Sequence, residues 1–107
     1  MKHDIQDELK KLTRIIVDTV PVQRILLFGS YAREEQRKDS DLDLYVVMPS
    51  NSELRDIDAM ILIRRAIRNT KTLPVDIVVS HESHFDQRLA THSFEQQVVR
   101  EGKVLYG

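Results

Sequence analysis

The sequence has no cysteine and no tryptophan, and only three glycines and three prolines among its 107 residues. Without cysteine there is no disulfide framework, no thiolate nucleophile and no zinc site built on thiolates. Neither sign of charge dominates. The 16 Lys and Arg against 17 Asp and Glu leave a net charge of −1, so no overall field draws the chain to nucleic acid or to an anionic membrane. No apolar run approaches the length that crosses a bilayer. The opening Met1-Lys2-His3-Asp4 has no apolar core of a secretory leader, so the expected location is the cytoplasm. The few Gly and Pro fall at element boundaries, which leaves no sign of a linker, repeat or low-complexity tract. With 41% hydrophobic residues, residues 1–107 are expected to form one domain with a core of its own.

Periodicity supplies the elements. Ile5, Leu9, Leu12 and Ile16 mark an amphipathic helix over 3–19, ending before Pro21. Arg24 to Phe28 is a short apolar run stopped by Gly29 and reads as a buried strand. Ser30 to Lys38, with Glu34 and Lys38 at i,i+4, predicts one or two helical turns. Leu42 to Met48 is a second strand, closed by Pro49. Ser50 and Glu53 have the spacing of a capping box ahead of a helix that runs to about Asn69, with Leu54, Ile57, Met60, Ile61, Ile63 and Ile67 as its apolar stripe. Pro74 opens a third strand, Val75 to Val79. Ser93 and Gln96 cap a last helix that Gly102 closes as a C′ residue, and Val104 to Tyr106 add a short edge strand. The fold class is α/β (α+β), a small mixed sheet covered by helices. The link between the first two strands is shorter than the dozen or more residues of a parallel crossover, so that pair is expected to be antiparallel.

The chemistry concentrates in Gly29-Ser30-Tyr31-Ala32-Arg33 and Asp39-Ser40-Asp41-Leu42-Asp43-Leu44. Alternation along a strand puts Asp41 and Asp43 on one face and Leu42, Leu44 and Val46 on the other. Two carboxylates side by side raise each other's pKa. A hard divalent cation such as Mg²⁺ turns that repulsion into ligation. Asp76, inside an otherwise apolar third strand, needs a partner or a task. If that strand adjoins the second, three aspartates could hold two metals about 3.5–4 Å apart, an arrangement suited to phosphoryl transfer. Gly29 lets a phosphate approach the backbone, Ser30 offers a hydroxyl at the start of the next helix, and Arg33 can neutralise phosphate charge. Asp39 reads as a turn residue before the strand. The first three ligand positions of a calcium loop match Asp39, Asp41 and Asp43, but Leu44 and Ser50 stand where that loop requires Gly and Glu, so it is rejected. Neither a Walker A nor a GxGxxG pattern is present. Arg64, Arg65, Arg68 and Lys71 read as a solvated helix face, and His81 and His84 as surface-loop residues. Tyr31 suits either stacking on a base or packing over the first helix.

Gly29-Ser30, ten residues, Asp41-Leu42-Asp43 and a later strand aspartate, Asp76, resemble the DNA polymerase β-like nucleotidyltransferase superfamily. The likeness is strongest to the minimal nucleotidyltransferases, the small MNT proteins with a GSxAR…DSDLDL signature, and it covers most of the chain. Glu34 and Lys38 depart from the commonest pattern, which has Gly and Pro there. The resemblance implies that Asp41, Asp43 and Asp76 are catalytic and bind Mg²⁺, and that Gly29 and Ser30 hold the phosphates of a nucleoside triphosphate, with ATP expected. It implies transfer of a nucleoside monophosphate to a hydroxyl with release of pyrophosphate. Many such proteins act as the antitoxin of a HEPN-domain toxin, and some attach AMP to a tyrosine of that toxin.

The chain is too short to carry an acceptor-binding domain, so a HEPN-type partner or a second copy is expected to supply the acceptor site, with the last helix and residues 81–100 as the surface for it. Two rival readings keep the same residues: an antitoxin that blocks its partner by occlusion and binds nucleotide without catalysis, and a nucleotidyltransferase acting on a small molecule. The R-x4-H-x-Y stretch of a HEPN toxin does not occur.

Overall fold

The computed structural model describes residues 5–107. Eight elements follow in the order α1 (Ile5–Thr19), β1 (Arg24–Phe28), β2 (Leu42–Met48), α2 (Asp56–Ile67), β3 (Val75–His81), α3 (Glu82–Leu89), α4 (Phe94–Glu101) and β4 (Lys103–Tyr106). The strands form one mixed sheet in the order β3-β2-β1-β4. β1 runs antiparallel to both β2 and β4, and β2 runs parallel to β3 across the α2 crossover. The short link between β1 and β2 therefore joins an antiparallel pair, as its length requires.

The alternation of β2 divides the molecule into layers. Leu42, Leu44, Val46 and Met48 join Leu9, Leu12 and Ile16 of α1 and Ala59, Ile63 and Ile67 of α2 in the larger core. Tyr45 and Val47 point the other way, into a smaller core with Leu26 of β1, Phe85 of α3 and Val98 of α4. Each fully buried Leu, Ile or Val contributes about 1.5–3 kcal/mol relative to exposure. One buried polar group organises each side. Glu8 of α1 accepts from the backbone N–H of Thr72 at 3.1 Å and from its hydroxyl, which ties α1 to the approach of β3. Glu95 of α4 accepts from the Tyr45 hydroxyl at 2.9 Å and from Arg88 Nε at 3.2 Å. Burial and the adjacent carboxylate hold the Tyr45 hydroxyl far above its ordinary pKa, only partly offset by a hydrogen bond with Ser80. Burial pushes Glu95 up, but the hydrogen bonds from Tyr45, its own backbone and Arg88 outweigh it and leave the carboxyl below its usual range.

Several expectations are corrected. Residues 3 and 4 of the first predicted helix lie outside the described residues. Ser30–Lys38 does not form a helix. A single turn, with Ala32 and Arg33 N–H donating to the Gly29 carbonyl, is broken by Glu34 at φ 58°. The Ser50–Glu53 capping box does not form. α2 begins at Asp56 with Arg55 as an N-cap whose side chain caps no helix N–H and pairs instead with Asp58, and the Ser52 hydroxyl accepts from Leu54 N–H. In the α2 stripe Ile57 and Ile61 face solvent, and Ala59 takes a buried position. β3 continues to His81, and α3, which the periodicity did not predict, follows it directly. Its sequence ESHFDQRL buries only Phe85, too little to mark a stripe. His81 and His84 are therefore not in a loop: His84 lies on α3, and His81 ends β3 with Nδ1 at 2.7 Å from Asp56 Oδ1 and Nε2 at 3.0 Å from the Ser52 carbonyl. Ser93 does cap α4, its hydroxyl accepting from Gln96 N–H. Gly102 ends that helix with an extended backbone (φ −80°) rather than a left-handed one. Glycine suits this position because a Cβ would stand 2.3 Å from the Val98 carbonyl oxygen and 2.9 Å from that of Leu27.

The rotation of α2 is testable by denaturant unfolding. Ile63→Ala is expected to cost ~2–5 kcal/mol, and Ile57→Ala no more than ~0.5 kcal/mol. Equal losses would contradict this packing.

Candidate functional site

The site grows from the parallel register of β2 and β3. Leu42 N–H donates to the Pro74 carbonyl at 2.9 Å, and the ladder that follows sets Asp43 opposite Asp76. On its other side Asp43 is paired in register with Phe28, the last residue of β1. Asp41 lies just before β2, on the same face by alternation, and is exposed. Asp43 is half-buried and Asp76 exposed on an edge strand. The sequence suggested an aspartate enclosed by apolar neighbours at Asp76; the edge position of β3 gives that carboxylate to solvent instead. Burial, then the charges of Asp76 and Asp41, raise the pKa of Asp43 above the usual aspartate range, against an opposing pull from Arg33.

Gly29 makes this crowding possible. It sits at φ +76°, and a Cβ there would stand 2.1 Å from Asp43 Oδ2, so the carboxylate occupies the space a side chain would take. The turn that follows closes on the Gly29 carbonyl, with Glu35 N–H bonded to the Ser30 carbonyl, and among the described residues the N–H groups of Ser30 and Tyr31 carry no hydrogen bond. Arg33 leaves the turn toward α4, 3.3 Å from Glu35 and 3.4 Å from Glu101. The Glu35 hydrogen bond, with help from the Glu101 charge, raises its pKa further and keeps it a cation. Gly29, Ser30, Arg33, Asp41, Asp43 and Asp76 thus converge at one end of the sheet, as the sequence predicts. Tyr31 does not join them; it packs against the larger core.

Among the described residues no three or more His, Cys, Asp or Glu side chains are gathered closely enough to form a metal cage. The donor set nevertheless fits a hard dication held by one or two carboxylates, with the remaining ligands coming from outside the protein, because it is oxygen-only and Arg33 only partly offsets the repulsion at Asp43.

Two hollows flank the carboxylates. Beside Asp76, a groove of about 350 Å³ runs along Arg64, Ile67, Arg68, Lys71, Pro74 and Val75. The three cations are exposed, as predicted for a solvated face, and none is in an ion pair among the described residues. The face is thus also one wall of a groove that reaches the site. On the flank toward β1, a pocket of about 200 Å³ is lined by Phe28, Gly29, Arg33, Phe94, Gln97, Val98 and Glu101. Phe94 and Gln97 fall in the stretch 81–100 expected to form the surface for the acceptor, and their place beside the Gly29 turn follows from nothing in the sequence, which does not tie α4 to that turn.

The model of the family described as polymerase beta nucleotidyltransferase matches residues 10–107. A candidate protein adenylyltransferase of Methanocaldococcus jannaschii is 29% identical over 86 residues, 79% of each chain. The protein adenylyltransferase MntA of Shewanella oneidensis is 32% identical over 98 residues, which span 91% of this chain and 63% of MntA. A crystal structure of a toxin–antitoxin with AMP-PNP superimposes with a TM-score of 0.67 at 30% identity, covering 92% of this chain and 73% of that one. A variant of the MntA–HpeT toxin–antitoxin superimposes with a TM-score of 0.63 at 28% identity, covering 99% and 74%. With the match extending over residues 10–107, the chain belongs to the polymerase β nucleotidyltransferase family.

Proposed function

We propose that residues 1–107 form one nucleotidyltransferase domain that moves AMP from ATP to a hydroxyl of a partner protein, as an MNT-type antitoxin does. The observation that carries this reading is Asp43, half-buried against Gly29 and crowded by Asp76 and Asp41. Such a cluster costs stability at neutral pH and is relieved by a cation bound with its substrate. Asp41, Asp43 and Asp76 would hold Mg²⁺, two ions in the full site, which supplies charge neutralisation at the triphosphate. Ser30 and Tyr31 N–H, with the Ser30 hydroxyl, donate to phosphate oxygens, and Arg33 adds a positive charge. The acceptor oxygen attacks the α-phosphorus, the bond to the β-phosphate oxygen breaks, and pyrophosphate leaves. Asp76 takes the acceptor proton on its carboxylate.

In-line displacement keeps the entering and leaving oxygens on opposite sides of the phosphorus. With the phosphates at the Gly29 turn on the β1 side, the acceptor comes over the β3 edge, where the groove beside Asp76 is open. The relatives from toxin–antitoxin pairs support a toxin as the partner, and the MNT resemblance supports a HEPN domain within it. A reaction fed by ATP suits the cytoplasm.

Incubation with α-labelled ATP, Mg²⁺ and a lysate of the host should label one protein band. Asp43→Asn is expected to lower that labelling by more than about a hundredfold, on the scale of removing one preorganised electrostatic group. Labelling that survives the substitution would sink the assignment, and nucleotide binding without labelling would favour the occluding antitoxin or a small-molecule acceptor.

A second expectation concerns stability. Because the Asp43 pKa is raised in the fold, the folded chain keeps a proton that the unfolded chain releases. Stability therefore falls as pH rises from the ordinary carboxylate range through the raised value, and stays lower above it. At pH 7 Asp43→Asn should raise Tm by a few degrees, with the gain vanishing at low pH. Added Mg²⁺ should raise Tm of the wild type and leave Asp43→Asn unmoved. An unchanged or lower Tm in the variant at pH 7, measured calorimetrically across pH, would refute the charge crowding.

A further inference from the structure

We infer that the pocket between the Gly29 turn and α4 is a nucleobase subsite, with Phe94 as the stacking surface and Gln97 as the group that reads the base. The inference rests on the nucleotidyltransferase reading and extends it to residues outside the carboxylate and glycine–serine motifs.

The pocket and the carboxylates share a wall. Gly29 lines the pocket and touches Asp43, and Phe28, which also lines it, is the register partner of Asp43. A triphosphate at the Ser30 and Tyr31 N–H groups thus has its nucleoside end within reach of α4. Phe94, Gln97 and Glu101 stand at i, i+3 and i+7 on that helix, one stripe facing the turn. Arg33, reaching across from the turn to Glu101, closes the far end.

Phe94 is held and yet open. Its ring packs edge-on against Phe28 with centroids 5.2 Å apart and lies 6.2 Å from the Tyr45 ring, while 44% of the residue stays exposed. A large ring fixed by two others, with accessible surface at the mouth of a pocket, is a platform for a planar ligand. At about 200 Å³ the hollow takes one ring system rather than a peptide segment. A glutamine amide offers a donor and an acceptor side by side, which matches the paired acceptor and donor on an adenine edge. Among the described residues the Gln97 amide makes a single contact, at 3.5 Å with Glu101, which leaves it able to turn to a base. Tyr31, the aromatic nearest the motif in sequence, is engaged with the larger core.

Calorimetric titration with Mg-ATP, Mg-GTP and Mg-tripolyphosphate tests this, the last carrying the phosphates without a base. The wild type is expected to bind ATP more tightly than tripolyphosphate and than GTP. Phe94→Ala should weaken ATP roughly tenfold, equivalent to about 1.4 kcal/mol, and leave tripolyphosphate unchanged. Phe94→Leu, which keeps apolar packing on Phe28, should give the same loss, and Phe94→Trp should restore binding. Gln97→Ala should bring ATP and GTP to within about threefold of each other. ATP binding unchanged in Phe94→Ala and Phe94→Leu, or a wild type that binds ATP no better than tripolyphosphate, would overturn the subsite while leaving the transferase reading standing. A wild type that binds neither ligand would overturn both.

Discussion

The parallel pairing of β2 with β3 is the constraint on which the site depends. Without that register Asp43 and Asp76 are two unrelated strand residues. With it they face one another, and Asp41 joins them from one alternation earlier. The pairing is secured from outside the site. The α2 crossover joins the two strands and buries Ala59, Ile63 and Ile67 against the sheet, Glu8 of α1 grips Thr72 just before β3, and His81 ties the end of β3 to Asp56 at the start of α2. Apolar burial worth several kcal/mol on one face thus holds together carboxylates that repel each other on the opposite face.

The second helical layer serves the same end in a different way. α3 and α4 cover the far part of the carboxylate face, where Tyr45 and Val47 continue the alternation that began at Asp41 and Asp43. Tyr45, Glu95 and Arg88 form a hydrogen-bonded chain that anchors α4. A buried hydroxyl or carboxylate left unpaired would cost about 1–3 kcal/mol, so this network specifies one position for the helix. That position sets Phe94 and Gln97 beside the Gly29 turn. The sheet face is therefore divided between a covered, packed half and an open, charged half, and α4 forms the boundary.

Much of this was legible in the sequence, for identifiable reasons. β1 and β2 have the predicted bounds, because short apolar runs between Gly and Pro leave few alternatives. The shared face of Asp41 and Asp43 follows from strand parity alone, and the opposition of Asp76 needed only that β3 be the neighbour of β2. α3 was not legible, since one buried phenylalanine in eight residues makes no stripe. The α2 stripe was misjudged because Ile57 and Ile61 have core spacing, yet the helix turns the small Ala59 inward to approach its neighbours closely. The link from Arg33 to Glu101 spans 68 residues and follows from no local pattern. Nor did any spacing reveal that Gly29 is required by an approaching carboxylate as well as by its backbone conformation.

The strand order also gives the site a direction. β2 is interior, so Asp43 is enclosed by β1 on one side and β3 on the other, and the electrostatic penalty concentrates there. β3 is an edge, so Asp76 keeps contact with water and with the groove along Arg64, Arg68 and Lys71. On the β1 side the Gly29 turn lies against Asp43, and Arg33 leaves that turn toward Glu101 of α4. A sheet with the same aspartates on two interior strands would bury both charges and offer no approach. One with them on two edges would solvate both and lose the strain that favours a bound cation. An interior strand beside an edge strand provides a carboxylate that is crowded and one that is reachable, and acid–base work beside ligation needs both.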